Sequence, residues 1–371
     1  MKILIDDGMQ IKVGTGIGKY TKYLYEFLNK SKNEEDIIDL VQYDKGTSSK
    51  KAGRLKYLLH INSKSYRDQC SGYDIIHYTN YAMPLIKSSR VKYAVTIHDL
   101  ASFFYPDTFS ILYRLYSRFI IKWAIKHADI LFTVSESVKK EIIEKWPNSS
   151  DKVHVAYPGL YEEFSEPICG GYEYSSLKGL KDKKFFLFVG TIEKRKNVSM
   201  IFNAFQHIKN ELPTCDYKLV YAGRPGFGYE ELIELVEKSN CKDDVIFTGY
   251  TSSDDVKRLY QRAAAYVFPT VYEGFGSTQL ECMVNHLPII LSDIPTNREV
   301  SGDYGLYFSL KDEYQLQQKM EQIIEGKIDY DVLNSIADDI CKKYTWDNLI
   351  AEYICVYRKY CAIKSIIEDA I

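Results

Sequence analysis

The sequence lacks an apolar run of the length that crosses a membrane. A spanning helix needs roughly 20 consecutive apolar residues, and no stretch of the 371-residue chain approaches that length. The opening apolar run stops at Asp6 and Asp7 and is too short for a secretory signal peptide. We therefore expect a cytoplasmic protein without a membrane-spanning segment.

Cysteine spacing typical of a metal or redox site is also missing. The eight cysteines include no Cys-x-x-Cys pair, and their apolar neighbours favour reduced, buried thiols. Asp329 and Asp331 resemble the Asp-x-Asp of metal-dependent sugar transferases, but their place before a predicted helix suits a helix cap better. We expect no metal site.

A large net charge is absent, because 48 Lys and Arg nearly balance 50 Asp and Glu. Residues 1–165 nevertheless carry 24 basic against 19 acidic residues, and the remainder 24 against 31. This asymmetry points to an anionic partner for the first half alone, and we expect no nucleic-acid partner. The 32 tyrosines suit interfaces or carbohydrate stacking, and the composition of the source genome explains them equally well.

Apolar runs of strand length alternate with amphipathic stretches, which is typical of parallel sheets covered by helices. The predicted strands are 2–6, 37–43, 73–78, 92–97, 130–134, 152–157, 184–189, 217–222, 244–248, 265–269, 288–292 and 305–308. The predicted helices are 17–29, 109–127, 136–146, 198–210, 229–239, 252–263, 278–286, 312–325, 331–343 and 346–363.

This alternation predicts an α/β protein of two doubly wound, Rossmann-like domains facing across a cleft. The length of the chain also favours two domains. We expect an N-terminal domain over 1–165 and a C-terminal domain over 166–345, with 158–182 as the linker. The last helix, within 346–371, suits packing on either domain.

One segment between two predicted strands carries two carboxylates and two glycines. Gly274 and Gly276 permit a sharp turn, and Ser277 suits the N-cap of the following helix. A strand end, a glycine loop and a helix N-terminus together expose N–H groups that bind anions. Glu273 and Glu281 are candidates for separate contacts with one ligand; an ordinary loop charge and a solvated helix residue remain the alternatives.

The run at residues 14–19 reads GTGIGK and resembles two phosphate-binding motifs without matching either. A dinucleotide fingerprint follows its strand directly, and a P-loop needs another glycine spacing and a Ser or Thr after the lysine. What remains is a flexible loop that opens a helix near Gly18. Its N–H groups suit a phosphate or a sugar, unless the loop is an ordinary turn.

Arg195 and Lys196 lie between the strand 184–189 and the helix 198–210. Positive charge is unfavourable at a helix N-terminus, and an anionic ligand would remove that conflict. Both residues are therefore candidates for binding a diphosphate, Arg195 through paired hydrogen bonds and Lys196 as a point charge.

His98 follows the strand 92–97, with Asp99 beside it. A histidine at a strand end can exchange a hydrogen bond with a substrate hydroxyl near neutral pH. A structural histidine is the alternative.

Basic residues recur every four positions on the predicted helix 109–127, at Arg114, Arg118, Lys122 and Lys126. The segment 45–67 is also free of acidic residues. Both suit an anionic membrane surface or the pyrophosphate of a lipid carrier. A solvated basic face is the alternative.

These motifs, in this order, resemble the retaining GT-B glycosyltransferases often called family 4. The resemblance rests on the glycine loop, on His-Asp-Leu at 98–100, on GTIEKRKN at 190–197, and on the segment from Glu273 to Glu281. It implies a nucleotide-sugar donor bound mainly by the C-terminal domain and an acceptor bound mainly by the N-terminal domain.

By motif position, the resemblance also implies a role for each candidate residue. Glu281 would bind the ribose hydroxyls, Glu273 would hold hydroxyls of the donor sugar, and His98 would lie near the reacting carbon. The leaving diphosphate would be neutralised by Arg195 and Lys196. The remaining donor-binding positions would be Gly16, Gly190, Phe275, Gly276, Ser277 and Thr278.

Thr191 stands where some members of the family have arginine, which makes Lys196 the firmer of the two phosphate assignments. The implied reaction is a same-face, dissociative substitution without metal or cofactor, with Glu273 as an orienting group and not a covalent nucleophile. The expected donor is a hexose nucleotide, with GDP-mannose preferred over UDP- and dTDP-sugars. The expected acceptor is a glycan or a polyprenyl-pyrophosphate-linked glycan of surface polysaccharide or O-antigen assembly.

Two other functions stay open from the sequence. One is a sugar-nucleotide epimerase of the same GT-B shape, which would have no use for the basic stripe. The other is a non-catalytic scaffold that binds a sugar nucleotide without turnover. The set of Glu273, Lys196 and Glu281 favours catalysis over the scaffold.

Overall fold

The computed structural model describes residues 1–8, 16–43, 50–165, 180, 182 and 184–369, with the side chains of 50–52 and 363–369 left aside. The chain forms two compact units. The first comprises Met1–Phe104, Ser110–Gly159 and Tyr344–Ile371, and the second comprises Tyr105–Phe109 and Leu160–Lys343. That the domain 1–165 binds the acceptor and the domain 166–345 binds the donor stays a prediction.

The first unit is built on a parallel sheet whose described strands follow the order β2-β1-β3-β4-β5-β6. The strands are β1 Lys2–Asp6, β2 Ile37–Val41, β3 Ile75–Tyr78, β4 Lys92–Ile97, β5 Ile130–Thr133 and β6 Val153–Val155. The side chains of β3 and β5 are buried throughout. Strands covered on both faces read as continuous apolar runs, which made them recognisable in the sequence.

Helices flank this sheet in the first unit. They are α1 Gly16–Ser31, α2 Lys50–Ile61, α3 Lys64–Cys70, α4 Ala101–Phe104, α5 Ile111–His127 and α6 Glu136–Lys145, with a last helix, α15 Trp346–Asp369. Ser135 caps α6 by accepting the Val138 N–H at 3.2 Å. Among the described residues, no helix has the length and apolarity needed to cross a membrane.

The last helix, α15, packs against α1 and the sheet of the first unit. The indole of Trp346 stacks on Tyr23 and Phe27, at 5.1 and 5.7 Å between ring centroids. The hydroxyls of Tyr353 and Tyr20 lie 2.5 Å apart. This helix therefore supplies part of the core of a unit whose other segments come from the first half of the chain.

The second unit contains another parallel sheet, whose described strands follow the order β12-β11-β10-β7-β8-β9. The strands are β7 Phe185–Val189, β8 Lys218–Ala222, β9 Val245–Gly249, β10 Ala265–Phe268, β11 Ile289–Ser292 and β12 Gly305–Phe308. The helices are α7 Glu162–Ser165, α8 Val198–Glu211, α9 Tyr229–Glu237, α10 Ser253–Arg262, α11 Thr278–Val284, α12 Pro295–Ser301, α13 Glu313–Ile324 and α14 Tyr330–Lys343.

The strand order has a functional consequence. β7 and β10 are neighbours, while the chain continues from β7 to one side of the sheet and from β10 to the other. Such a topological switch point leaves a crevice at the carboxyl ends of the strands, where open α/β sheets bind ligands.

All twelve predicted strands are present, with small shifts at their ends. Five helices of the described residues were missed: α2, α3, α12 and the four-residue helices α4 and α7. The predicted linker 158–182 lies largely outside the described residues, and its described part includes α7.

Candidate functional site

The loop after β10 turns sharply before α11. Gly276 has a φ of +82°, in the left-handed region, and a Cβ there would lie 2.4 Å from the side-chain nitrogen of Gln279. Only glycine meets both conditions without strain. Glu273 lies before this turn, at the start of the loop, and is close to the end of β7 because β10 and β7 are neighbouring strands.

Three donors converge on one oxygen of Glu273. Oε1 accepts hydrogen bonds from Arg195 Nη1 at 2.9 Å, Lys196 Nζ at 2.5 Å and Thr270 Oγ1 at 2.9 Å. Within the described part of the chain, no hydrogen bond reaches Oε2 of this carboxylate. The predicted carboxylate and both predicted cations thus form one cluster at the switch point.

Charge dominates the protonation of this cluster. Burial alone would raise the pKa of Glu273, but the charges of Lys196 and Arg195 outweigh burial and hold that pKa below its ordinary value. Burial lowers the pKa of the Lys196 ammonium, against the opposing attraction of Glu273. Arg195 is always charged, so Glu273 stays ionised at neutral pH. A nearby anion would further favour the charged form of the desolvated Lys196 side chain.

Arg195 is used mainly within the protein. Besides Glu273, its guanidinium donates to the Tyr272 carbonyl at 2.7 Å and to Glu193 Oε1 at 2.8 Å. Arg195 therefore orients the Glu273 loop. The ammonium of Lys196 lies 4.6 Å from the centre of the Phe268 ring.

A short turn at the end of β7 sets the direction of both cations. The 3-10 turn Lys194–Lys196 ends at Asn197, whose φ of +51° is left-handed. Gly190 has a φ of +138°, and its N–H donates to the Ala222 carbonyl at 2.9 Å. A Cβ at Gly223 would lie 1.9 Å from the Gly190 carbonyl oxygen. The ends of β7 and β8 therefore approach as closely as glycine allows.

The first turn of α11 is buried, and its cap differs from the prediction. Ser277 occupies the N-cap position, but its side chain makes no capping hydrogen bond because its backbone is already helical. Phe275 is 6% exposed and Glu281 is 7% exposed. Glu281 is thus no solvated helix residue, and its Oε2 accepts the Tyr260 hydroxyl at 2.9 Å. Thr278 Oγ1 contacts the Tyr266 hydroxyl at 3.1 Å.

A polar network under the loop was missed by the sequence analysis. Thr296 Oγ1 donates to the Glu273 carbonyl at 2.9 Å, and Gln279 Nε2 donates to Asn297 Oδ1 at 3.0 Å. Ser301 Oγ donates to Gln279 Oε1 at 2.6 Å. Thr296, Asn297 and Ser301 all belong to α12, whose one sequence signal is Pro295 at its first position.

In the first unit, His98 lies just after β4. Its Nε2 is 2.8 Å from the Thr79 carbonyl; a carbonyl only accepts, so Nε2 carries the proton and Nδ1 is the acceptor in the neutral ring. Burial lowers the pKa of His98, which favours that neutral form. The ring of Tyr20 meets the imidazole edge-on at 5.1 Å.

Gly16 is the first residue of α1, two positions before the predicted start near Gly18. A Cβ at Gly16 would meet nothing within 4 Å. The preceding Gly14 and Thr15 lie outside the described residues. Both predicted residues therefore border α1: Gly16 is its first residue, and its Tyr20 contacts His98.

The predicted basic stripe on α5 is not uniform. Arg118 donates through Nε to the Ser102 carbonyl at 2.7 Å and through Nη2 to the Phe103 carbonyl at 3.3 Å, so it fastens α4 to α5. Lys122 and Lys126 are exposed, and Arg114 is half-buried. Arg118 is therefore a structural residue.

No group of three His, Cys, Asp or Glu side chains in the described ranges is arranged to hold a metal ion. Asp329 Oδ1 instead accepts the Val332 N–H at 3.1 Å at the start of α14, as expected of a helix cap.

The chain thus combines two α/β units with a cluster of one carboxylate and two cations at the switch point of the second sheet. Residues 175–339 match the family model "Glycosyl transferases group 1", and residues 16–164 match the model "Glycosyltransferase Family 4". The chain belongs to this family of glycosyltransferases.

The relatives and the fold agree with this assignment. The O-antigen chain mannosyltransferase RfbU of Salmonella typhimurium is 30% identical over 247 residues, which cover 66% of this chain and 63% of that protein, so the match spans less than two thirds of that relative. The O-antigen chain mannosyltransferase B of Escherichia coli is 24% identical over 376 residues, 93% of this chain and 96% of that protein. Sucrose-phosphate synthase of Thermosynechococcus elongatus has a similar structure, with a TM-score of 0.75 at 16% identity over 98% of this chain and 100% of that one. The predicted GT-B fold is confirmed.

Proposed function

We propose that the protein transfers a hexosyl group from a nucleoside diphosphate sugar to a hydroxyl of a glycan or lipid-linked acceptor, with retention of configuration and without a metal ion. The observation that carries this proposal is the convergence of Lys196, Arg195 and Glu273 at the switch point of the second sheet.

The chemistry follows from the charges. Cleavage of the sugar–phosphate bond builds negative charge on the leaving diphosphate, which cations and N–H groups stabilise. Lys196 is proposed to bind the phosphate, because among the described residues its ammonium is hydrogen-bonded to Glu273 alone, whereas Arg195 is also held by the Tyr272 carbonyl and by Glu193. The N–H groups of Ser277 and Thr278 lie at the start of α11, where a phosphate is favoured.

Glu273 is proposed as an orienting group for the donor sugar. Its Oε1 is held by three donors, and its pKa lies below the ordinary value. A carboxylate stabilised in this way is a weak nucleophile. The acceptor proton is proposed to pass to the leaving phosphate oxygen, which becomes basic as the bond breaks.

GDP-mannose is the proposed donor and an O-antigen or other surface polysaccharide the proposed product, because the two relatives are mannosyltransferases of O-antigen chains. Thermal unfolding with GDP, UDP and dTDP identifies the base, since a ligand at 100 times its Kd adds about 2.7 kcal/mol to stability. Incubation with the matching sugar nucleotide and a polyprenyl-pyrophosphate-linked glycan then tests transfer by mass spectrometry, and NMR of the product gives the anomeric configuration. An inverted product would refute retention.

The two alternative functions give different products. An epimerase would release free sugar and nucleotide without any acceptor, and a scaffold would bind the nucleotide without turnover. Acceptor-dependent release of the nucleoside diphosphate excludes both.

We also propose that the first unit contacts an anionic membrane surface, where a lipid-linked acceptor would be found. The supporting observation is an exposed apolar ridge on α5 formed by Ile111, Leu112, Leu115 and Phe119, each 56–70% exposed. Leu55 and Leu59 of α2 are 61% and 65% exposed. The guanidinium of Arg54 lies 4.9 Å from the Tyr113 ring centre and joins α2 to α5.

Lys122 and Lys126 stay exposed on the same helix, so apolar insertion and attraction to anionic lipid would act together. The test is co-flotation with phosphatidylglycerol vesicles of wild type and the double variant Leu112→Ser/Phe119→Ser. Loss of two apolar side chains that would insert into the membrane should weaken vesicle binding by at least about tenfold. The control is Leu212→Ser/Val332→Ser, which removes exposed apolar side chains from the second unit. Equal binding by all three proteins would refute the contact.

A further inference from the structure

A fully buried tyrosine lies beneath the predicted ribose-binding carboxylate. Tyr260, in α10, is 0% exposed, and its hydroxyl donates to Glu281 Oε2 at 2.9 Å. The two residues are 21 positions apart and lie on different helices. The hydrogen bond therefore fixes the carboxylate of Glu281 from the interior side of α11.

The surroundings leave this tyrosine little freedom. Its ring meets Tyr266 edge-on at 6.2 Å and Phe164 at 6.0 Å, measured between ring centroids. Burial raises the pKa of Tyr260 well above its ordinary value, so the hydroxyl keeps its proton and remains a donor. A rigid aromatic side chain with few rotatable bonds holds its partner at little cost in conformational entropy.

We propose that Tyr260 is a positioning residue that orients the Glu281 carboxylate toward both ribose hydroxyls and so makes the site select ribonucleotides over 2′-deoxyribonucleotides. This inference rests on the proposed function, in which Glu281 binds the ribose. A carboxylate fixed in one plane accepts hydrogen bonds from two neighbouring hydroxyls, and a sugar that lacks one of them leaves a buried acceptor unpaired. A freely rotating carboxylate would adapt to the single remaining hydroxyl. Ribonucleoside diphosphate sugars are then the donor class, and dTDP-sugars are disfavoured.

A second buried tyrosine, in the strand that follows α10, provides a matched control. Tyr266, in β10, is also 0% exposed, and its hydroxyl contacts Thr278 Oγ1 at 3.1 Å and donates to the Val189 carbonyl at 3.3 Å. Tyr266→Phe removes the same chemical group at the same depth. The Tyr266 hydroxyl contacts α11 at Thr278, whereas the Tyr260 hydroxyl contacts it at Glu281.

The experiment measures dissociation constants by calorimetry for GDP and 2′-deoxy-GDP and for UDP and 2′-deoxy-UDP. The proteins are the full chain as wild type, Tyr260→Phe, Tyr266→Phe, Glu281→Ala and the double variant Tyr260→Phe/Glu281→Ala. Because the variant loses one hydrogen bond that orients the carboxylate but keeps the carboxylate itself, Tyr260→Phe should lower the deoxy-to-ribo ratio of Kd values by about three- to tenfold. Tyr266→Phe should keep the wild-type ratio, and Tyr260→Phe should change nothing further once Glu281 is absent.

The ribose contact of Glu281 and the positioning role of Tyr260 can be refuted separately. If Glu281→Ala abolishes the discrimination while Tyr260→Phe keeps it, the ribose assignment stands and the positioning role is overturned. If Glu281→Ala keeps the discrimination, the ribose assignment itself is wrong, and the inference is overturned with it. Should Tyr260→Phe not fold, Glu281→Asp draws the carboxylate away from the tyrosine, and an unchanged ratio in that variant also overturns the proposal.

Discussion

Lys196 and Glu273 form an ion pair, with 2.5 Å between Nζ and Oε1, that joins the loops after β7 and β10. Both side chains are largely buried, at 14% and 10% exposure. The pair lies at the ends of β7 and β10, the two neighbouring strands from which the chain continues to opposite sides of the sheet. It therefore closes the base of the crevice where we propose that the donor binds. Its members are not equivalent, because Glu273 has two further donors on the same oxygen.

Replacement of Lys196 by alanine should lower kcat by about 100-fold or more, as loss of one transition-state donor typically does. The measurement is the initial rate of transfer at saturating donor. Lys194→Ala is the control, because Lys194 belongs to the same turn but its side chain is 40% exposed. Its ammonium pairs with Glu231 at the surface, at 2.7 Å. A rate near wild type for folded Lys196→Ala would contradict the phosphate role.

Glu273 should make stability depend on acidity. Its pKa in the folded state lies below the ordinary value of 4.5, so its stabilising contribution is present above the unfolded pKa and is lost as the pH falls through the lower folded pKa. Glu273→Gln should cost about 3–5 kcal/mol of unfolding free energy at neutral pH, because it leaves two buried cations without their carboxylate. That cost should shrink below pH 4.5, measured by urea unfolding of both proteins at a series of pH values.

The exposed pair of Asp293 and Arg298 provides the comparison for this pH dependence. The Arg298 hydrogen bond lowers the pKa of Asp293 as well, but the carboxylate is 47% exposed. Solvent screening makes such a pair worth little, so Asp293→Asn should change stability less than Glu273→Gln. A pH-independent effect of Glu273→Gln would show that ionisation is not the cause.

Transfer should continue after metal ions are removed. Lys196 and the N–H groups of α11 are proposed to provide the charge stabilisation that a divalent ion supplies in other transferases. Activity after exhaustive dialysis against EDTA should equal that of the untreated enzyme, assayed in metal-free buffer. Loss of activity that manganese restores would contradict the mechanism.

Tyr353→Phe should loosen α1 within the first unit. The Tyr353 hydroxyl lies 2.5 Å from that of Tyr20 and 3.2 Å from Thr96 Oγ1, and loss of such a buried hydroxyl costs about 1–2 kcal/mol. Hydrogen exchange of the α1 amides should accelerate while the second unit is unchanged. Glu352→Gln, at an exposed neighbouring position on the same helix, should leave exchange as in wild type.

The strands could be predicted from the sequence because each fully buried strand is a short, continuous apolar run. β7, with Phe185, Phe186, Leu187 and Phe188 all at 0% exposure, is the clearest case. α12 could not be predicted in the same way, because it has seven residues and its buried positions include Thr296 and Asn297. Polar side chains become buried only when the groups that bind them are already in place.

The contacts of individual site residues were less accessible to prediction. Spacing along the chain carries no information about the pairing of Tyr260 with Glu281, since their helices meet only in the folded unit. The four-residue period of α5 predicted one basic face, but Arg118 donates to the Ser102 and Phe103 carbonyls and is structural, which the period does not reveal. Many tyrosines are buried with bonded hydroxyls, among them Tyr57 and Tyr66 on Asp6, a use that composition alone does not reveal.

The return of α15 to the first unit affects the order in which the protein folds during synthesis. Tyr353 and Tyr357 cover Phe132 and His77 of the first sheet, yet the ribosome adds them after the whole continuous segment Leu160–Lys343. The second unit can therefore complete its sheet while the first still exposes an apolar face. During translation the first unit therefore lacks α15 until the second unit has been synthesised, and a nascent intermediate that exposes apolar surface in this way is prone to aggregation.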